Sequence, residues 1–76
     1  RNLVKYNDIE NIFSYSDEKV KNLIQNASDY QKGLIANRIA RQIVDGKNVD
    51  YNKVNLINEL CSVDINKRAA SIRSLA

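Results

Sequence analysis

Catalysis needs groups that take or give a proton near neutral pH, and this chain has few. There is no His among its 76 residues, which removes the side chain most used as a general base and as a metal ligand. Cys61 is the only thiol, so neither an internal disulfide nor a cysteine-based zinc cluster can form. With no His to activate it, Cys61 reads as a small inward-facing core residue. Asp17, Glu18, Asp29, Asp50 and Asp64 fall where helices should begin, and a carboxylate there caps N–H groups and meets the positive end of the helix dipole. Asp45-Gly46-Lys47-Asn48-Val49-Asp50 has only the outline of a calcium loop, because alternating oxygen ligands and a distal Glu are missing. Gly33 and Gly46 are the only glycines, too few for a phosphate-cradling loop. The expectation is a chain without enzymatic activity, and with no cofactor, metal or small-molecule substrate.

Binding chemistry is better supplied. The formal net charge is +3, from 12 Lys and Arg against 9 Asp and Glu. It is unevenly spread, with four basic against five acidic residues over 1–29 and eight against four over 30–76. A basic C-terminal portion suits phosphate or an acidic partner surface. The candidate nucleic-acid contacts are Lys53, Asn55, Lys67, Arg68 and Arg73, with Arg38 and Arg41 as phosphate contacts. Asn pairs with adenine edges, and Lys or Arg with guanine or phosphate.

Helices must position these groups. The stretch from Ser28 to Gly46 carries the longest helical pattern: Leu34, Ile35, Ala36, Ile39, Ala40, Ile43 and Val44 recur at spacings of three and four. Ser28 is its N-cap, and Gly46 is suited to the left-handed position that ends it. This helix is the expected spine. Gly33 within it reads as a weak spot or a close helix crossing. A first helix is expected from Arg1 to Phe13, with Phe13 anchoring the core and Asn7 or Asp8 capping a late start. Ser16 caps a second helix with Val20, Leu23, Ile24 and Ala27 inward. Asp50 caps a fourth, roughly Tyr51 to Cys61, with Val54, Ile57, Leu60 and Cys61 inward and its asparagines outward. Asp64 caps a fifth, with Ile65, Ala69, Ile72, Leu75 and Ala76 inward. No alternating stretch is long enough for a strand. The sequence therefore predicts an all-α fold, a single domain over 1–76 built as a compact bundle of four to five short helices and resembling a helix-turn-helix.

Two helix pairs fit that motif, in which a second helix lies in the major groove. The third and fourth helices would expose Tyr51, Asn52, Lys53, Asn55 and Asn58, but their turn is longer than usual. The fourth and fifth share the three-residue turn Ser62-Val63-Asp64 and would expose Asn66, Lys67, Ala70, Ser71, Arg73 and Ser74. Arg68 stands where the motif wants an apolar residue. The twelve residues Asp64 to Leu75, DINKRAASIRSL, resemble the segment that closes the helical core-binding domain of tyrosine recombinases. That resemblance implies a DNA-contacting helical module, and the catalytic residues of that family are not in this chain.

The expected function is thus a small DNA-binding regulatory module, of a kind carried by phages, plasmids or low-GC bacteria, as the wealth of Asn, Lys and Ile suggests. The alternative is a protein–protein interaction or self-association domain, a homodimer included, because Tyr6, Tyr15, Tyr30 and Tyr51 lie near helix starts and Tyr is enriched at interfaces. Residue 1 is Arg rather than Met, so a piece cut from a longer protein, or a processed chain, is expected. The single Cys fits a reducing, cytoplasmic setting. No run approaches the roughly 20 apolar residues of a membrane span.

Overall fold

The computed structural model describes residues 5–75. Within them the chain is all-α, a compact bundle of short helices. Five α-helices follow one another: α1 (Tyr6–Glu10), α2 (Asp17–Gln25), α3 (Asp29–Val44), α4 (Tyr51–Cys61) and α5 (Ile65–Leu75), with a 3-10 turn at Ile12–Ser14.

The expected single helix through Phe13 is therefore broken, and its first four residues lie outside the described part. The break falls at Asn11, which leaves helical geometry (φ −108°, ψ 8°). Its side-chain Nδ2 donates to the Asn7 carbonyl (2.9 Å) and to Asn7 Oδ1 (3.2 Å) beside its own backbone bond to that carbonyl, a local bonding that favours a helix end over a helix interior. The other end of α1 is tied by Asp8, whose Oδ2 accepts from the Lys5 N–H at 3.1 Å. Phe13 is half-buried against the core rather than sealed in it.

The remaining starts follow the capping rules. Ser16 Oγ accepts from the Lys19 N–H, and Asp50 Oδ1 from those of Asn52 and Lys53. Ser28 and Gln31 form a reciprocal capping box on α3, Gln31 N–H to Ser28 Oγ and Ser28 N–H to Gln31 Oε1, so Gln31 serves the helix start rather than open water. At the far end Gly46 sits at φ 76°. Its N–H donates to Ile43 O and that of Lys47 to Gln42 O, the paired bonds of a Schellman stop.

The same stop closes α4, with Ser62 N–H to Glu59 O and Val63 N–H to Asn58 O. Here the left-handed residue is Ser62 (φ 56°, ψ 45°), a conformation that costs an L-residue about 1 kcal/mol or more.

The core is aliphatic. Ile35, Ala36, Ile39, Ala40 and Ile43 of α3 meet Val20 and Ile24 of α2, Val54, Ile57 and Cys61 of α4, and Ile65 and Ala69 of α5, all buried. Fully burying one such isoleucine is worth about 1.5–3 kcal/mol, so truncating Ile39 would consume much of the stability of a chain this size. The spine expectation holds for α5 and α4, which pack on α3, but α2 packs chiefly on α4 and not on the spine.

Of the two readings of Gly33 only the weak spot remains, and one packing expectation for α5 fails. A Cβ placed on Gly33 would meet nothing within 4 Å, so no helix crosses closely there. Leu75 is 87% exposed, because α5 extends past the end of α3 and no other described residue covers its last turn. Ala76, the other inward expectation at that end, lies outside the described residues. Leu34, Leu56 and Val63 are half-buried and lean on the core, so they leave no surplus patch.

Candidate nucleic-acid interface

The first reading helix, α4, is spent on the fold. Lys53 was expected to point outward. Its Nζ instead donates to the Tyr15 carbonyl at 2.6 Å and pairs with Asp17 Oδ1 at 3.0 Å, and only 11% of its side chain is exposed. The cause lies in the chain path: α4 packs on α2, so its first turn lies beside the bare carbonyl that precedes α2. Asn58, also expected outside, is half-buried, and its Oδ1 caps α5 by accepting from the Ile65 N–H at 2.9 Å. Asn55 stays exposed, with Tyr51 and Asn52, but no cation remains beside it on that helix.

The fifth helix is different. Ile65 and Ala69 are buried and Ile72 is half-buried, while Asn66, Lys67, Ala70, Ser71 and Ser74 are exposed on the other side. Arg68 and Arg73 are five residues apart, about 140° around the helix, and both lean toward α3. Arg68 Nη1 donates to Asn37 Oδ1 at 2.8 Å. Arg73 Nη2 donates to the Ile43 carbonyl at 3.3 Å. Because residue 68 meets 37 and residue 73 meets 43, α5 runs in broadly the same direction as α3. Its support is thus chiefly α3, where a helix-turn-helix pair would lean on α4, although the turn Ser62-Val63-Asp64 has that motif's length and a left-handed residue at its start.

Each guanidinium carries five N–H donors, so each bond to α3 leaves most of the fork unspent. Arg41 is exposed and lies one helical turn beyond Asn37, on the same side of α3. Arg38 is exposed too, on the neighbouring flank, with its guanidinium carbon 4.4 Å from the centroid of the Tyr6 ring. An open depression of about 420 Å³, lined by Val63, Asp64, Lys67, Arg68 and Ser71, runs along the start of α5. Asp64 contributes a carboxylate to its rim, but Oδ1 is occupied in accepting from the Lys67 N–H at 3.0 Å.

Of the seven candidate residues, then, Arg41, Lys67 and Arg68 are gathered around the α3–α5 seam. Arg73 lies on the other flank of α5 and Arg38 beside α1. Lys53 and Asn55 belong to α4. The residue that sequence reasoning missed is Asn37, whose exposed helical position gives no hint of a partner 31 positions away. Asn58 was missed because its place on the polar stripe of α4 does not show that the turn into α5 brings the Ile65 N–H back to it.

The titratable groups with shifted pKa values lie away from this face. The Lys5 backbone N–H, aided by the Tyr15 hydroxyl, holds the Asp8 carboxyl below its usual value against a smaller opposing effect of burial. The bond from the Tyr15 hydroxyl to Asp8 Oδ1 (3.0 Å) keeps the phenol above its own. Burial raises the Cys61 thiol, with Lys32 opposing weakly. Among the described residues no three His, Cys, Asp or Glu side chains gather as metal ligands would, and no helix is long and apolar enough to cross a membrane. In comparison with known proteins, no family model, curated protein or solved structure matches the chain.

Proposed function

We propose that this chain is a non-enzymatic DNA-binding module of regulatory type that lays the outer side of α5 in the major groove of duplex DNA. The observation that carries the reading is the make-up of that side. Its middle is made of small residues (Ala70, Ser71, Ser74) beside Lys67, and an arginine stands on each flank. Small side chains allow a helix to approach base edges closely, while flanking arginines reach the phosphates on either side of the groove. Duplex DNA fits better than a single strand or an RNA loop, because those are gripped by aromatic rings on which bases stack. Here α5 carries no ring.

The test is affinity for a mixed-sequence duplex as a function of salt. Three to four phosphates met by Arg41, Lys67, Arg68 and Arg73 correspond to a slope of log K against log salt of about −3 to −4, or roughly a fifty- to hundredfold loss between 50 and 200 mM. Absence of binding at 50 mM salt would remove the reading.

A second reading, docking on another protein or on a second copy, rests on exposed apolar groups: Tyr30 at 77% and Leu75 at 87%. Sedimentation of the chain up to millimolar concentration addresses self-association. A sharp monomer at every concentration removes self-association and leaves a foreign partner for these two groups, which lie toward opposite ends of α3.

A further inference from the structure

We infer that Asn37 is a positioning residue that presets the Arg68 guanidinium, so that Arg68 and Arg41 together clamp a single backbone phosphate over the α3–α5 seam. The inference rests on the DNA-binding reading above and goes further by naming the anion's place and the residue that prepares it. A surface arginine ordinarily samples many rotamers and loses that freedom on binding. Arg68 differs. Its Nη1 is held by Asn37 Oδ1 at 2.8 Å, which leaves its remaining N–H donors for a bidentate grip on two phosphate oxygens.

Arg41 completes the clamp. It lies four residues beyond Asn37, so the two Cβ atoms are about 5–6 Å apart on one side of the helix. Its side chain is exposed, and the single ion pair among the described residues is Lys53–Asp17, far along the chain. An anion seated on Arg68 at the seam is within reach of Arg41, and Asn37 between them carries no charge to compete with it. An ammonium cannot replace the fork, so Arg68→Lys is not a neutral change.

The experiment is a double-mutant cycle on affinity for the duplex at fixed salt, with the salt slope and the thermal midpoint measured for each variant. Asn37→Ala is expected to weaken binding about three- to tenfold, the cost of ordering one long side chain on binding. It leaves the salt slope unchanged, since no charge is removed, and lowers the thermal midpoint only slightly, since the better helix propensity of Ala at an exposed site offsets part of the lost bond to Arg68. Arg68→Ala is expected to weaken binding and to reduce the magnitude of the slope by less than about 0.9, because Arg41 still meets the shared phosphate. In the Arg68→Ala background, Asn37→Ala should cost nothing further, and Arg68→Lys should restore the slope but not the full affinity. An equal loss from Asn37→Ala in both backgrounds, or no loss in either, overturns the inference while leaving DNA binding in place. A wild-type chain that does not bind at 50 mM salt overturns both.

Discussion

Replacing Lys53 by Met separates a structural lysine from a DNA-binding one. Met keeps most of the aliphatic stem that packs between α4 and the start of α2, and removes only the ammonium. Two contacts are then lost. The bond to the Tyr15 carbonyl is short (2.6 Å) and part-buried, and a bond from a charged donor is worth about 1.5–3 kcal/mol. The pair with Asp17 faces water on the acid's side, where 72% of the side chain is exposed, so its share is about 0.2–1 kcal/mol. Relief of the desolvated ammonium offsets part of the sum. The expected net loss is about 1.5–2.5 kcal/mol, or about 8–15 °C in thermal midpoint for a chain of this length. That is a large part of a total stability of roughly 4–11 kcal/mol.

The assay is urea unfolding followed by far-UV circular dichroism, with Asp17→Asn alongside. Asp17→Asn should cost at most about 1 kcal/mol, including its lost interaction with the helix dipole, and 0.5 M salt should erase most of that difference. The loss in Lys53→Met should largely survive the salt, because the carbonyl bond is screened little. Below its unfolding range Lys53→Met should bind duplex DNA as the wild type does. A Lys53→Met protein within 0.5 kcal/mol of wild type, or one that folds normally but has lost DNA affinity, would refute the assignment of this lysine to the fold.

Other outcomes follow from the backbone and the titrations. Ser62→Gly should stabilise the chain by about 0.5–1 kcal/mol, since glycine takes the left-handed stop of α4 without the Cβ penalty at some cost in chain entropy. Gly33→Ala should stabilise it by up to about 1 kcal/mol, because nothing lies within 4 Å of the added Cβ and the site is helical; a loss in urea midpoint would mean the spine is crossed there after all. Asp8, held below the ordinary carboxylate value, contributes stability that is complete above about pH 3.9 and is lost as pH falls through its depressed folded value. Tyr15, held above its ordinary value, contributes stability present below about pH 10 and lost as pH rises through its raised folded value. Asp8→Asn should flatten the acid limb of a stability–pH curve and Tyr15→Phe the alkaline one.

The parts of the fold that were legible in the sequence are those decided locally. Ser16, Ser28, Asp50 and Asp64 cap the helices they precede, and Gly46 stops α3, because capping depends on residues within a turn of one another. The aliphatic stripe of α3 is buried as its spacing demands. What was not legible depends on which helix lies beside which. Lys53 turns inward because the start of α2 offers an unpaired carbonyl, and no feature near residue 53 announces that. Arg68 was legible as a departure from the apolar position of a helix-turn-helix unit. The reason it is tolerated, Asn37 across the seam, appears only once α5 is placed on α3. Leu75 follows the inward spacing of α5 yet is exposed, since periodicity says which side of a helix is apolar and not how far its partner extends. Asn11 shows the limit within one element: a residue able to bond back to Asn7 ended a helix that apolar spacing alone would have carried through Phe13.

The central claim is that α5, and not α4, faces the nucleic acid. Amide chemical-shift changes in the folded chain on titration with a duplex at 50 mM salt test it directly. The largest changes are expected at Lys67, Arg68, Ala70, Ser71 and Ser74, with Arg41 beside them, and little movement at Asn52 and Asn55. Changes concentrated on Tyr51 to Asn55, or none anywhere along the chain, would contradict it.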